Sequence, residues 1–322
     1  MGLINSDIPE LEGTNTEITL SNLDDIESEL ERLLERRISH VCELSDAIIM
    51  DGEDEDIIKS IILSIRYDAE KCTDRVSPDN LDDIKSLYAG ISLAERLMIF
   101  RRVFSRLYTS KRPYFKCYLE SFGKNSDSGI GKIAYINNAY NDAAYIAFSD
   151  SINSPTAHYA NSVSEICECV REGRCEFCIL PIETSNEGKL LSFYRTILKY
   201  GLKIDIVYDM VNKSGEEFTR YALLSSAIFS SVTHRGRNKE RYFDFLISCC
   251  EGLSISEIAM AAQLCGLDIH SIDTMNLNFE GDSVEKYFCI SLKANRGDLN
   301  TFLSYLAVDC PDFIPLGLYN KI

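Results

Sequence analysis

The stretch that most constrains this chain is Cys178–Gly188, which reads CILPIETSNEG. A short apolar run is closed by polar residues and a glycine, and an amphipathic helix pattern follows. This pattern predicts a buried parallel strand that leads through a turn into a helix. Because ligands bind at the carboxyl ends of strands in open α/β sheets, we predict that Glu183, Thr184 and Ser185 face a ligand.

The net charge of −17 over 322 residues bounds the possible partners. Nucleic acids and anionic membrane surfaces attract clustered lysine and arginine, so neither is expected as a partner. The sequence has no apolar stretch long enough to span a membrane, and its start lacks a cationic leader with an apolar core. We therefore expect a cytoplasmic protein, and a chain of this length is expected to form two or three domains.

Twelve cysteines are spread along the chain, and four of them cluster within residues 167–178. One interpretation of the cluster is a zinc site. On a helix Cys167 and Cys169 diverge by about 200°, and on a strand Cys175 and Cys178 face opposite sides. Four converging thiolates are therefore not expected. We favour small core residues, and we predict neither a metal nor another cofactor.

The first 115 residues carry helical patterns without a strand pattern, and we predict a helical domain over residues 21–120 after a disordered segment at 1–20. Helices are predicted from Ser21, over Ile57–Cys72, and from about Leu81 to Tyr108. The first helix has an apolar stripe at helical spacing: Leu23, Ile26, Leu30, Leu33, Leu34, Val41, Leu44 and Ile48. Arg37 interrupts this stripe, where a charged side chain needs a partner or a ligand.

Two further units follow a predicted Gly/Ser-rich linker at 121–131. Strands that alternate with short helices over residues 131–230 predict a three-layer α/β domain with a largely parallel sheet. Residues 240–322 have the order β-α-β-β-α-β, which is typical of a ferredoxin-like fold. The predicted fold class is thus a multidomain α/β protein with an N-terminal helical domain.

Several motifs resemble the bifunctional chorismate mutase–prephenate dehydratase family. CILPIETSNEG resembles the dehydratase motif L-P-I-E-N-[ST]-x-x-G, and Thr219-Arg220-Tyr221 resembles the Thr-Arg-Phe motif that ends that catalytic domain. The buried arginine in LLERRISHV resembles the mutase domain, and the last unit, ending in DFIPLGLY, resembles an ACT domain. The resemblance implies a cytoplasmic homodimer of phenylalanine biosynthesis that converts prephenate to phenylpyruvate.

The resemblance also implies roles for individual residues. It assigns catalysis to Thr219, Glu183 and Ser185. It assigns binding of a small carboxylate, either prephenate or an aromatic amino acid, to Thr184, Arg220, Asn137, Asn138 and Arg37. It assigns effector binding to Gly252, Leu253, Ser254, Asp273 and Thr274.

The departures from the family pattern favour weak or lost catalysis. Thr184 replaces the asparagine of the motif, and the glycine turn after the first strand is replaced by residues 137–142. Only residues 212–217 separate two strands between which the family inserts a second lobe, so we predict a single-lobe dehydratase-like domain. The effector motif at 273–276 lacks its arginine and proline. Mutase activity is not expected, and the alternative to a dehydratase is a non-catalytic amino-acid sensor or scaffold.

Overall fold

The computed structural model describes residues 15–51, 81–109, 131–152, 154–212, 215–227, 240–249, 255–277 and 285–322. The chain divides into two compact units, residues 1–52 and 53–322. The predicted helix Ile57–Cys72 lies outside the described residues. Among the helices described, none has the length and apolar character needed to cross a membrane.

The first unit contains one long helix, α1 (Asn15–Asp51), which begins earlier than predicted. The exposure of its predicted apolar stripe differs between the two ends of the helix. Leu23, Ile26, Leu30 and Leu33 are each about half exposed or more, whereas Val41 and Ile48 are buried. Arg37 lies in the exposed part.

The second unit is a mixed α/β fold whose element order matches the predicted order except for the short strand at Gly188–Lys189, where a helix was predicted to begin. It begins with helix α2 (Leu81–Thr109). Next come β1 (Lys132–Ile136), α3 (Ala139–Ser149), β2 (Thr156–Ala160), α4 (Val163–Arg171), β3 (Phe177–Thr184), β4 (Gly188–Lys189), α5 (Leu191–Tyr200), β5 (Lys203–Val211) and β6 (Phe218–Ser225). The last elements are β7 (Arg241–Ser248), α6 (Ile255–Leu264), β8 (Asp268–Leu277), β9 (Glu285–Lys293), α7 (Leu299–Asp309) and β10 (Ile314–Lys321).

The ten strands of the described residues form one sheet, in the order β2-β1-β3-β6-β5-β10-β7-β9-β8, with β4 paired to β3. Strand β1 runs parallel to β2 and β3, but β6 runs antiparallel to both β3 and β5. The prediction of a largely parallel sheet is therefore wrong at β6. The reason is the short 212–217 connection, because a hairpin can join only antiparallel strands. Strand β10 pairs with β5 and so joins residues 131–227 and 240–322 in one sheet.

Helices cover both faces of the first half of this sheet. On one face, Ala144 and Phe148 of α3 pack on Ile179, Tyr221 and other apolar strand residues. On the opposite face, α4 and α5 pack on a larger core that extends to Cys289 and Leu316. The α3 helix starts at Asn138, whose side chain accepts hydrogen bonds from two backbone N–H groups of the first turn.

Helix α2 contacts α6 and α7 in the second half of the unit. Arg96 of α2 is 1% exposed and forms ion pairs with Asp309 and, at 2.9 Å, with Glu257. Glu95 and Ile99, around which the resemblance places the polar positions of the mutase third helix, are both buried. A buried arginine between two carboxylates is costly to leave unpaired, so these pairs fix how α2 sits on the two helices.

Candidate functional site

A pocket of about 280 Å³ lies on the α5 side of the sheet, where the β5–β10 pairing joins the two halves. Eight strands, β3 to β10, and α5 contribute to its wall. Its lining is Ile182, Glu183, Lys189, Tyr194, Val207, Arg220, Tyr242, Asp244, His270, Ser271, Asp273, Ser291, Tyr319 and Lys321. This volume is at the lower end of the range for small-molecule pockets, about 300–1,000 Å³.

One side of the pocket is a network of ion pairs around Arg220. The guanidinium group donates to both carboxylate oxygens of Asp209, at 2.6 and 2.9 Å, and to Glu183. Lys321 Nζ lies 2.6 Å from the same Asp209 carboxylate. Burial alone would raise the pKa of Asp209, but Arg220 and Lys321 hold it below its ordinary value. Asp209 is therefore a carboxylate at neutral pH and holds both cations in place.

Lys189 is a further cation of the pocket wall. The turn after β3 brings it back beside Glu183, and Gly188 occupies the left-handed region at φ 67°, which favours glycine there. Its ammonium lies 2.8 Å from Asp273 Oδ2 and donates to Cys289 Sγ at 3.1 Å. Burial opposes its charge, but Cys289, Tyr194 and Asp244 raise its pKa above the ordinary range. A charged lysine has three donors, and the described residues use two of them.

Asp244 is the carboxylate of this pocket whose hydrogen bonds are incomplete. It lies on β7 between β9 and β10 and is 4% exposed. The Tyr319 hydroxyl donates to Oδ2 at 3.0 Å, whereas Oδ1 accepts no hydrogen bond of good geometry from the described residues, although the Ser291 hydroxyl on the paired strand β9 lies close enough to lower the pKa of Asp244. Burial raises the pKa of Asp244, and the nearby Lys189 ammonium opposes that rise. A buried carboxylate in this state gains most from a positively charged donor.

The arrangement suits a ligand that carries both an ammonium and a carboxylate group. Asp244 offers an acceptor for the ammonium, and the third donor of Lys189 is available for the carboxylate. Tyr194, Tyr242 and Tyr319 add aromatic surface, with the rings of Tyr242 and Tyr319 stacked at 5.7 Å. The described side chains thus combine charge complementarity to a zwitterion with aromatic surface from the tyrosines.

The predicted catalytic residues do not meet in this pocket. Glu183 lines it, but Thr219 is one residue from Arg220 in a regular strand and is directed to the opposite, α3 face. Thr184 pairs with Thr219 and lies on that other face, where its hydroxyl accepts from the Glu187 N–H. The Ser185 hydroxyl accepts from the Phe218 N–H at 3.3 Å. Glu183 and Thr219 are therefore separated by the sheet.

The remaining predicted residues fall in three places. Arg220 and Asp273 line the pocket, and Thr274 follows Asp273 as an exposed residue. Asn137 and Asn138 are exposed at the end of β1, where Asn138 caps α3, and Arg37 belongs to the other unit. Gly252, Leu253 and Ser254 lie outside the described residues.

Sequence reasoning missed Lys189 and Asp244. Asp244 is a lone carboxylate inside the apolar strand RYFDFLIS, and a charge in such a run signals a buried group with a specific partner. Lys189 directly follows the motif turn, but its contact with Asp273 joins residues 84 positions apart in the sequence. Only the order of strands in the sheet brings that pair together.

The chain matches no known protein-family model, and no curated protein matches its sequence. Partial likenesses occur among solved structures. Prephenate dehydratase from Streptococcus mutans is 15% identical, with a TM-score of 0.45. The match covers 59% of this chain and 98% of that chain. GqqA, titled a novel type of quorum quenching acylase, is 18% identical, with a TM-score of 0.44 and coverages of 59% and 94%. Prephenate dehydratase from Arthrobacter aurescens in complex with L-Phe is 13% identical, with a TM-score of 0.44 and coverages of 58% and 89%. At these values we draw no residue's role from them.

Proposed function

We propose that this protein is a divergent relative of the prephenate dehydratases that senses a free amino acid and has little or no catalytic activity. The unpartnered Oδ1 of Asp244, buried in a pocket with Lys189 and three tyrosines, carries this proposal. An amino acid supplies the ammonium that Asp244 lacks and a carboxylate for Lys189. The aromatic wall favours an aromatic or large aliphatic side chain.

The ligand's ammonium group is the feature to test. In a thermal-shift screen of the twenty amino acids we expect one or a few to raise the midpoint of unfolding, because a ligand that binds only the folded protein stabilises it. The matched control for each active amino acid is its α-keto acid, which has the same side chain and carboxylate without the ammonium. An equal shift with the keto acid, or no shift with any amino acid, would contradict the proposal.

Dehydration of prephenate is not expected, for three reasons. The Thr219 hydroxyl, which the resemblance makes the proton donor, lies on the face of the sheet opposite Glu183 and Arg220. Arg220 already donates three hydrogen bonds to Asp209 and Glu183, and these two carboxylates balance its charge, which weakens its attraction for a substrate carboxylate. The hairpin at 212–217 also supports the absence of a second lobe that would close over a substrate.

An assay with prephenate separates sensor from enzyme. We expect phenylpyruvate to form no faster with the protein than without it. Robust turnover that Thr219→Ala abolishes, and that the control Ser192→Ala on the exposed side of α5 retains, would favour the dehydratase. Chorismate mutase activity is likewise not expected. Conversion of chorismate to prephenate by the protein would contradict this expectation.

The proposed architecture follows the same family. The β-α-β-β-α-β order of residues 240–322, with sheet order β10-β7-β9-β8, supports a ferredoxin-like, ACT-like part. Residues 131–230 are proposed as a single dehydratase-like lobe and residues 21–120 as a mutase-like helical part. We also propose a homodimer through α1, because its half-exposed Leu23, Ile26, Leu30 and Leu33 form an apolar face.

A further inference from the structure

Three metal-ligating side chains converge at the edge of the sheet, away from the pocket. His158 of β2, Cys169 of α4 and Cys175 after α4 present one nitrogen and two sulfur atoms, all within 4.8 Å of one another. Both cysteines are buried free thiols, and His158 is partly exposed. The four-cysteine cluster considered from sequence is thereby divided, because Cys167 interacts with Cys178 instead.

The local fold explains why these three side chains meet. Alternation along β2 directs Tyr159 to the α3 face, where it packs on Tyr135, so His158 is directed to the α4 face. Helix α4 begins at Ser162, whose hydroxyl accepts from the Glu165 N–H, and ends in a turn with Gly173 at φ 73°. The Cys175 N–H then donates to the Cys169 carbonyl at 2.9 Å, which brings the second thiol back beside the first.

The spacing of the ligand atoms fits a tetrahedral zinc site. Zinc bonds of about 2.3 Å to sulfur and about 2.05 Å to nitrogen, at a tetrahedral angle, place the two ligand atoms about 3.6 Å apart. The His158 Nε2 and Cys169 Sγ atoms are 3.6 Å apart. Borderline-soft ligands of this kind, thiolate and imidazole, select zinc over magnesium or calcium.

We propose that His158, Cys169 and Cys175 bind one zinc ion, which joins β2 at the edge of the sheet to α4 and the turn after it. Two thiolates balance the double positive charge of the ion, so the site is neutral when filled. Three protein ligands leave the fourth position to water on the partly exposed His158 side.

Metal titration of the purified full-length chain tests the site. After removal of metal with a chelator, zinc is titrated in competition with a chromophoric chelator, and cobalt(II) is titrated in parallel. We expect one equivalent of zinc to bind, cobalt to show thiolate-to-metal charge-transfer bands, and zinc to raise the midpoint of thermal unfolding. Absence of stoichiometric zinc binding, or a Cys169–Cys175 disulfide in the protein as isolated, would overturn the proposal.

Matched variants identify the ligands. Cys175→Ser and His158→Ala are each expected to weaken zinc binding at least tenfold, and Cys175→Ser to reduce the cobalt charge-transfer intensity by about half. Cys167→Ser is the control, because Cys167 lies on the same helix as Cys169 and is equally buried. His158 lies on an edge strand and is partly exposed, so its variant tests the site even if a cysteine variant fails to fold. Zinc affinity that His158→Ala leaves unchanged, or that Cys167→Ser lowers equally, would contradict the assignment.

Discussion

Glu183 of β3 and Arg220 of β6 lie opposite each other on paired strands, and their side chains form an ion pair that faces the pocket. Arg220 also binds Asp209, so one guanidinium neutralises two carboxylates, one on each of the strands that flank β6. Arg220 is accordingly a structural cation of the pocket wall, and two carboxylates already balance its charge.

Arg220→Met is expected to destabilise the protein. The change leaves Glu183 and Asp209 half-buried and without their main partner, which costs about 2–3 kcal/mol, below the 3–5 kcal/mol of fully buried pairs. Urea denaturation followed by circular dichroism measures the loss. The control Arg195→Met removes an exposed arginine of α5 and should leave the unfolding midpoint nearly unchanged. Equal effects of the two variants would contradict the structural role of Arg220.

Arg96→Met is expected to cost more, about 3–5 kcal/mol, because the arginine is almost fully buried and the buried Asp309 carboxylate would lose this ion pair. The same denaturation experiment checks this value. Arg101→Met, on the same helix, removes a half-exposed pair with Asp298 and should have little effect. A loss below about 1 kcal/mol for Arg96→Met would show that α2 does not depend on these pairs.

The stability of the protein should depend on pH through Asp244. Burial raises its pKa above the ordinary 3.8, so the folded protein binds this proton more tightly than the unfolded chain. Stability from this group is therefore full below pH 3.8 and is lost as pH rises through the folded pKa. Asp244→Asn has no proton to lose, so its stability advantage over the wild type should grow with pH from about pH 4 upward. A difference that stays constant between pH 4 and pH 8 would contradict the raised pKa.

The order of elements in the second unit was predictable from sequence, because periodicity and turn residues report local structure. The strand and turn at Cys178–Gly188 and the helix that follows them were predicted. The helix begins later than predicted, because Lys189 belongs to the short strand β4. The β5–β10 pairing and the Lys189–Asp273 contact were not predictable, since both join residues more than 80 positions apart. The opposite faces of Thr219 and Arg220 follow from alternation along β6, whereas the position of the pocket on the Arg220 face depends on the β5–β10 pairing.

Charges placed on the exposed part of α1 should dissociate the proposed homodimer. Leu30→Glu with Leu33→Glu introduces two like charges into its apolar face, and burying them against a second copy is unfavourable. Light scattering after size-exclusion chromatography should show a dimer for the wild type and a monomer for the double variant. Glu31→Gln, an exposed change on the same helix, should remain dimeric. A monomeric wild type would contradict the dimer.

Isothermal titration calorimetry with the amino acid that gives the largest thermal shift tests the central claim most directly. The wild type is expected to bind one equivalent per pocket, and Asp268→Asn, an exposed carboxylate of β8, should bind equally well. Asp244→Asn should bind roughly 10- to 100-fold more weakly, because it loses a charge-assisted hydrogen bond worth about 1.5–3 kcal/mol. Unchanged affinity in Asp244→Asn would show that the ammonium group of the ligand does not bind Asp244.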